Sequence, residues 1–374
     1  MKTPARRAAA GAVALTGALA GAVALAGAAQ ASQAYGGAPV YALTDTGHGN
    51  AVVAYDAGLN RLGSYPTGGL GGALTGSVVD HLASQGALAL DRAHGLLYAV
   101  NAGSDTLAVF ALHGDRLSRV QVIATGGAFP VSVTAHGNQV YVLNARDGGS
   151  IQGYLRVGGR LVKVGAWHQS LGLPVTTGAQ EFTHTPGQVA FTPDGTKLVV
   201  TTKAAANSIM VFGVDTLGGP SAHPAITTVA GAVPFAVDFD SAGRVVVAEA
   251  GVNALATFTV DRGGALTAVG QSPTGQAATC WIAGAHGVFY GSNAGSGSVS
   301  GFRDARGSLQ ALGNTPTAAG SVDAATSGDG RRLYVRGGSA GVLVGFRINR
   351  DGSLTPTGTV TVPDSAGAEG LAAS

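Results

Sequence analysis

Charged residues, aromatic residues and cysteine are all scarce in this chain of 374 residues. Only 11% of the residues are charged and 6% are aromatic, whereas 45% are hydrophobic, which excludes a chain kept unfolded by its own charge. The single cysteine, Cys280, excludes an intrachain disulfide and a paired-cysteine zinc motif. The chain is instead rich in glycine, with 61 residues that lack the triplet period of collagen. A folded protein with many turns is therefore expected.

Motifs that hold common cofactors are missing as well. No Gly-Lys-Ser/Thr phosphate loop is present, so nucleotide hydrolysis has no support. We expect neither a cofactor nor a metal ion.

Cys280 lies in the apolar run 277–283, where a buried, unreactive thiol is more plausible than a nucleophile.

The first 31 residues have the pattern of a secretory signal peptide. Three basic residues precede an apolar run at 8–29, and Ala29-Gln30-Ala31 forms a small-x-small cleavage site. A retained membrane anchor is the alternative, because the run is nearly long enough to span a bilayer. Its many Ala and Gly residues favour cleavage. We therefore predict a signal peptide at 1–31, one secreted domain at 32–374 and no membrane attachment after cleavage.

Cleavage would also change the charge of the protein. It removes Lys2, Arg6 and Arg7 but no acidic residue, so the formal net charge falls from +2 to −1. No continuous basic block remains that would bind phosphates or an anionic surface. Nucleic acid is therefore not expected as a partner.

The rest of the chain consists of seven copies of one unit. Each copy has four short apolar strands separated by turns of Gly, Asn, Asp and Ser, and its third strand ends near an aromatic residue. Successive aromatic residues are 44 to 58 residues apart, and two of the intervals carry extra residues. The seven aromatic residues are Tyr55, Phe110, Tyr154, Phe212, Phe258, Phe302 and Phe346.

This repeat predicts an all-β, seven-bladed β-propeller with four antiparallel strands in each blade. The mature chain opens on the second-strand pattern of a blade at 39–43, whereas 366–374 resemble a first strand with no blade after it. We therefore expect the two ends to complete one blade together and close the ring. His94, His136 and His286 occupy equivalent turns, so we expect turn roles rather than a metal site.

Three motifs resemble those of a known family. Residues 186–200 read Pro-Gly-Gln-Val-Ala-Phe-Thr-Pro-Asp-Gly-Thr-Lys-Leu-Val-Val, 100–106 read Val-Asn-Ala-Gly-Ser-Asp-Thr, and 351–356 read Asp-Gly-Ser-Leu-Thr-Pro. The chain resembles the seven-bladed propellers of the lactonase family, which include bacterial 6-phosphogluconolactonase and the carboxymuconate lactonizing enzyme. The resemblance covers nearly the whole mature chain and implies a secreted bacterial member with lactone-hydrolysing activity.

The resemblance also bears on the site residues. Members of this family usually open one blade with Pro-His and the next with Pro-Arg-His, and they carry a glutamate in the turn between the second and third strands of that latter blade. The corresponding positions here read Pro186-Gly187 and Pro234-Phe235-Ala236. Only the glutamate has a counterpart, Glu249.

Further charged residues lie in loops that we expect at one face of the ring. In a propeller, the connections from fourth to first strands and the turns from second to third strands emerge on the same face, where ligands commonly bind. Two of these connections are extended, at 70–84 and 171–185. Lactone hydrolysis needs a base beside a water molecule and a donor beside the developing oxyanion. The candidate catalytic residues are Glu249, His184 and Glu181, and the candidate substrate-binding residues are Arg146, Lys203 and Arg336.

Two functions fit these observations. The first is a secreted lactonase, a carboxylic ester hydrolase that acts on a small carboxylated or sugar lactone at the channel mouth. The alternative is a non-catalytic extracellular scaffold that has lost the lactonase site and binds a protein or polysaccharide through the same face. The charged loop residues would then simply be solvated. In either case we expect a monomer.

Overall fold

The computed structural model describes residues 38–374. These residues form seven antiparallel sheets of four strands each, which confirms the predicted seven-bladed β-propeller. The predicted signal peptide at 1–31 lies outside the described residues. Between residues 38 and 374, none of the helices has the length and apolar character needed to cross a membrane.

The first four blades have the following strands. Blade 1 contains β1 (Val40–Leu43), β2 (Ala51–Tyr55), β3 (Arg61–Pro66) and the last strand of the chain, β28 (Leu371–Ala373). Blade 2 contains β4 (Leu88–Asp91), β5 (Leu96–Asn101), β6 (Thr106–His113) and β7 (Arg116–Ala124). Blade 3 contains β8 (Pro130–His136), β9 (Gln139–Asn144), β10 (Ser150–Val157) and β11 (Arg160–Ser170). Blade 4 contains β12 (Val189–Phe191), β13 (Lys197–Thr201), β14 (Ser208–Gly213) and β15 (Ala225–Thr228).

The remaining three blades follow the same order. Blade 5 contains β16 (Pro234–Phe239), β17 (Val245–Glu249), β18 (Ala254–Val260) and β19 (Leu266–Pro273). Blade 6 contains β20 (Thr279–Ala285), β21 (Val288–Asn293), β22 (Ser298–Ala305) and β23 (Ser308–Pro316). Blade 7 contains β24 (Ser321–Thr326), β25 (Arg332–Gly337), β26 (Val342–Ile348) and β27 (Leu354–Thr361). Short 3₁₀ helices occupy Arg92–His94, Ala102–Ser104, Gly178–Thr183, Lys203–Ala205 and Gly338–Ala340.

Strands from both ends of the described chain share the sheet of blade 1. The last strand, β28, pairs antiparallel with β1, so that Ala42 lies opposite Leu371. The Leu43 amide also donates to the Gly370 carbonyl at 3.0 Å. All three residues of β28 are buried. The predicted closure of the ring is confirmed, and β28 covers the inner edge of β1 that would otherwise be open.

The seven repeated aromatic residues are core residues. Each lies on the third strand of its blade, and none is more than 4% exposed. In six blades the pairing between the third and fourth strands shifts register at this residue, which is a bulge that increases the local twist of the sheet. Burying each ring contributes about 1.5–3 kcal/mol to folding.

The turn histidines join neighbouring blades at the face opposite the two extended loops. His136 packs against Gly195 of the next blade, and His286 packs against Gly330. The ring nitrogen Nε2 of His286 lies 2.9 Å from the Asp329 carbonyl. A side chain at either glycine would collide with the imidazole, which explains why these turns carry glycine.

Candidate functional site

The two extended loops meet on one face of the ring. We call residues 70–85 the first insertion and residues 171–185 the second insertion. The Thr75 amide in the first insertion donates to Glu181 Oε2 in the second at 2.6 Å, and the Phe182 amide donates back to the Thr75 carbonyl at 3.4 Å. The two loops therefore form one continuous structure above blades 3 and 4.

The end of the first insertion fills the channel at this face. The Gln85 amide donates to the Gly187 carbonyl of blade 4, and the Gln85 side chain hydrogen-bonds to both backbone groups of Ile282 in blade 6. The Trp281 indole donates to the Ser84 carbonyl at 2.6 Å. Because one short segment contacts blades on different sides of the ring, the channel mouth is occupied by protein.

An open pocket lies beside this closed channel. It has a volume of about 190 Å³ and lies between the second insertion and the turn at 145–148. Leu173, Pro174 and Val175 supply its apolar wall. Three of the six candidate site residues line it, namely Arg146, Glu181 and His184.

Glu181 holds Arg146 in a fixed orientation. Its carboxylate accepts from Arg146 Nε at 2.7 Å and from Nη2 at 3.3 Å, while the guanidinium lies 4.3 Å from the Phe129 ring centroid. Burial opposes ionisation of Glu181, but the hydrogen bonds from Arg146 and Thr75 outweigh it and lower the pKa of Glu181 to about 2. Glu181 therefore remains ionised and is too weak a base to remove a proton from water.

The neighbouring hydrogen bonds fix the tautomer of His184. Its Nδ1 lies 2.8 Å from Thr183 Oγ1 and 3.1 Å from the Gln180 carbonyl. The Thr183 hydroxyl also donates to that carbonyl, so both oxygens can accept from His184. In the neutral imidazole, Nδ1 is therefore the donor and Nε2 is the acceptor. His184 is the member of the pocket suited to act as a general base.

Lys203 is buried between the two insertions rather than exposed in the pocket. Only 1% of Lys203 is exposed. Its ammonium donates to the Ala83 carbonyl at 2.6 Å, the Phe182 carbonyl at 2.5 Å and Thr185 Oγ1 at 3.1 Å. All three ammonium protons are thereby used, so Lys203 anchors the insertions.

Arg336 is also buried, among carboxyl groups that the sequence did not indicate. It is fully buried, and Nη1 donates to the Leu43 carbonyl at 2.8 Å. The Glu369 amide donates to Asp45 Oδ2 at 3.0 Å, although these residues are 324 positions apart. Four buried acids accompany Lys203 and Arg336, and we call all six side chains the buried charge cluster. The acids are Asp45, Asp80, Asp323 and Glu369.

Protonation reduces the negative charge of this cluster. Burial raises the pKa of Asp45 to about 8 and that of Asp323 to about 7. Burial and the adjacent Asp80 carboxylate raise the pKa of Glu369 well above its ordinary value. Asp45 is therefore mostly protonated at neutral pH, which lowers the negative charge that faces Lys203 and Arg336.

A pH dependence of stability follows from the cluster. Because the pKa of Asp45 is raised in the folded state, its contribution to the free energy of unfolding is complete below about pH 4. This contribution is lost as the pH rises through about 8. The free energy of unfolding is expected to fall between pH 5 and pH 8, by up to about 1.4 kcal/mol per pH unit for each proton retained. Asp45→Asn should make the free energy of unfolding fall less between pH 5 and pH 8. Urea unfolding at pH 5 and pH 8 tests the prediction. An equal change in the free energy of unfolding for Asp45→Asn and the unmodified protein would contradict it.

Glu249 lies apart from the pocket. It is 2% exposed, and its Oε2 accepts from Gln271 Nε2 on the outer strand β19 at 2.5 Å. Burial raises the pKa of its carboxyl group. Within residues 38–374, no ion pair joins Glu249 to a basic residue. The structure thus gathers Arg146, Glu181 and His184 but not Glu249.

The remaining chemistry-bearing groups do not form another centre at this face. Burial raises the pKa of the Cys280 thiol to about 12, so the thiol stays protonated. In the described part of the chain, no three His, Cys, Asp or Glu residues are arranged to hold a metal ion.

Comparisons with known proteins show what this propeller is similar to. Residues 170–283, which include the second insertion, match the family model described as "Lactonase, 7-bladed beta-propeller". No curated protein matches the chain. A Bacteroides fragilis protein assigned as a 6-phosphogluconolactonase has a TM-score of 0.69 and 18% identity, over 91% of this chain and 99% of that one. The periplasmic gluconolactonase of Pseudomonas aeruginosa has a TM-score of 0.69 and 17% identity, over 89% and 98% of the two chains.

These matches agree with the motifs in the sequence. At such low identity the solved structures show a shared fold, while the family model independently connects part of the chain to lactonase propellers. The resemblance to a lactonase-type seven-bladed propeller is therefore confirmed.

Proposed function

We propose that this protein is a secreted hydrolase that opens a small sugar or carboxylated lactone in the pocket beside the second insertion. The observation that carries the proposal is the convergence of Arg146, Glu181 and His184 on one pocket. It gives a base and an oriented donor in the same small space, as hydrolysis of an ester bond requires.

Each side chain has a distinct role in the proposed reaction. His184 Nε2 takes a proton from a water molecule, whose oxygen attacks the lactone carbonyl carbon. The free N–H groups of Arg146 donate to the developing oxyanion or to a carboxylate on the substrate. The ring C–O bond then breaks, and His184 returns the proton to the leaving oxygen, which yields a hydroxy acid. Glu181 is a positioning residue, because it acts by orienting Arg146.

The size and wall of the pocket support a small substrate. A volume of about 190 Å³ is below the range of sites for drug-sized ligands, so a single ring fits better than an oligosaccharide. The apolar wall of Leu173, Pro174 and Val175 can pack against the ring, and the N–H groups of Arg146 that Glu181 does not engage can donate to a polar substituent.

Export supports a substrate outside the cytoplasm. The pattern at 1–31 is that of a signal peptide, and the similar Pseudomonas aeruginosa protein is a periplasmic gluconolactonase. We infer that the protein meets its lactone after secretion.

Proton release by the purified protein tests this function. We would measure it against five- and six-membered lactones, each with and without a carboxylate, and subtract spontaneous hydrolysis. Saturable turnover of at least one ring is expected, and the comparison shows which form is preferred. If the folded protein hydrolyses none of them, the proposal fails and the alternative of a non-catalytic binding propeller is favoured.

A further inference from the structure

A second concave surface lies on the face opposite the insertions, near the junction of blades 7 and 1. This groove has a volume of about 930 Å³, and the turns at 56–58 and 327–332 form much of its lining. Four arginines from two blades, blade 2 and blade 7, also line it. They are Arg92, Arg331, Arg332 and Arg347.

Two of these arginines are fixed by backbone carbonyl groups rather than by acids. Arg332 Nη1 donates to the Ala57 carbonyl at 3.1 Å, and Arg92 Nη2 donates to the Ala373 carbonyl. Gly328 allows the second arrangement, because a side chain there would collide with the Arg92 guanidinium. Carbonyl anchors orient a guanidinium without neutralising its charge, and they leave other N–H groups available.

The other two arginines have little or no acidic partner in the described chain. Arg331 lies 3.9 Å from Asp329, but their side chains are 83% and 59% exposed, so this pair contributes little. Arg347 forms no ion pair within residues 38–374. The four guanidinium groups of the groove thus outnumber the two aspartate carboxylates, Asp56 and Asp329, that also line it.

The two aspartates that line the groove are oriented by hydrogen bonds from their own turns, and they offset part of its positive charge. Asp56 accepts from the Gly58 amide and from both the backbone and side-chain nitrogens of Asn60. Asp329 accepts from Ser327 Oγ and the Arg331 amide. Residues 1–37 contain no Asp or Glu, so that segment has no side-chain carboxylate to offer the arginines.

We infer that this groove binds a ligand carrying at least two phosphate or carboxylate groups. A planar guanidinium donates two parallel hydrogen bonds to such groups, and four arginines that line one groove from two blades can bind more than one anion. The fold assembles a basic site although the mature sequence has no basic block. This inference does not depend on lactone hydrolysis, because the groove and the pocket lie on opposite faces.

Calorimetric titration of the purified protein with tripolyphosphate and with citrate tests the inference. The test variant is Arg331→Ala with Arg347→Ala, which leaves both carbonyl-anchored arginines in place. The matched control is Arg116→Ala with Arg160→Ala, which removes the same charge from exposed positions in blades 2 and 3. We expect saturable binding of at least one ligand, weakened about tenfold or more in the test variant and less than about twofold in the control.

The two ligands distinguish phosphate from carboxylate as the preferred group. Circular dichroism melts must show that both variants remain folded, and lactone hydrolysis provides a separate readout of the opposite face. Absence of saturable binding to both ligands would overturn the inference. Equal weakening by the two variants would overturn it as well, since binding would then follow net charge rather than the groove.

Discussion

Deletion of residues 366–374 is expected to unfold the whole ring. The deletion removes β28, which pairs with β1 and whose Leu371 is buried. It also removes the Gly367 carbonyl that accepts from the His81 amide at 2.6 Å. About four lost backbone hydrogen bonds at roughly 1 kcal/mol each, together with one buried leucine, amount to at least about 5 kcal/mol. That loss is comparable to the entire stability of many domains.

The measurement is thermal unfolding followed by circular dichroism. The truncated protein should show no cooperative thermal transition. Its spectrum should be that of an unfolded chain at temperatures where the full chain remains folded. Addition of a synthetic peptide of residues 366–374 should restore folding, because it can pair with the exposed edge of β1. A truncated protein that melts within a few degrees of the full chain would show that β28 does not close the ring.

Substitution of Lys203 by methionine is expected to lower the free energy of unfolding by about 3–5 kcal/mol. The change leaves the carbonyl groups of Ala83 and Phe182 without their donor. It also leaves the buried charge cluster with one cation, so its remaining ionised acids are no longer balanced. Burial already lowers the pKa of Lys203 to about 8, because removing the ammonium group from water disfavours its charged form.

Urea unfolding at pH 7 measures this effect. Lys163→Met is the matched control, because Lys163 is exposed on β11 and its replacement should change stability by less than about 0.5 kcal/mol. Similar unfolding of the two variants would mean that Lys203 is not a structural anchor.

The fold could be predicted because the sequence pattern that specifies a blade is local and is repeated along the chain. The spacing of residues such as Phe302 and Phe346 fixed the number of blades, and each of these rings packs in the core. The closing strand was predictable for the same reason, since 366–374 repeat the first-strand pattern without a blade to follow.

How deeply each candidate site residue is buried could not be predicted in the same way. The loop pattern placed Lys203 and Arg336 on the same face as Arg146, but it carried no information on burial. The structure buries both cations: Lys203 donates to the Ala83 carbonyl of the first insertion, whereas Arg336 donates to the carbonyls of Leu43 and Ser365. The acids that surround them come from distant segments, such as Asp45 and Glu369, and no spacing in the sequence links them.

The pocket residues were better defined because two of them share one loop. Glu181 and His184 are three positions apart on the second insertion, so any fold of that loop keeps them close. Their contact with the Arg146 turn required the propeller, which brings the end of blade 3 beside that loop. The tautomer of His184 required the hydrogen bonds of Thr183 and Gln180 and had no signature in the sequence.

The most direct test of the proposed site is kcat/KM for lactone hydrolysis by two variants measured side by side. His184→Gln removes the proposed base, so kcat/KM should fall by about 10²–10⁴-fold. Glu249→Gln alters the buried carboxyl group outside the pocket, so kcat/KM should stay within about threefold of the unmodified protein if the variant is folded. Full activity in His184→Gln with loss of activity in Glu249→Gln would contradict the account and place the chemistry at Glu249.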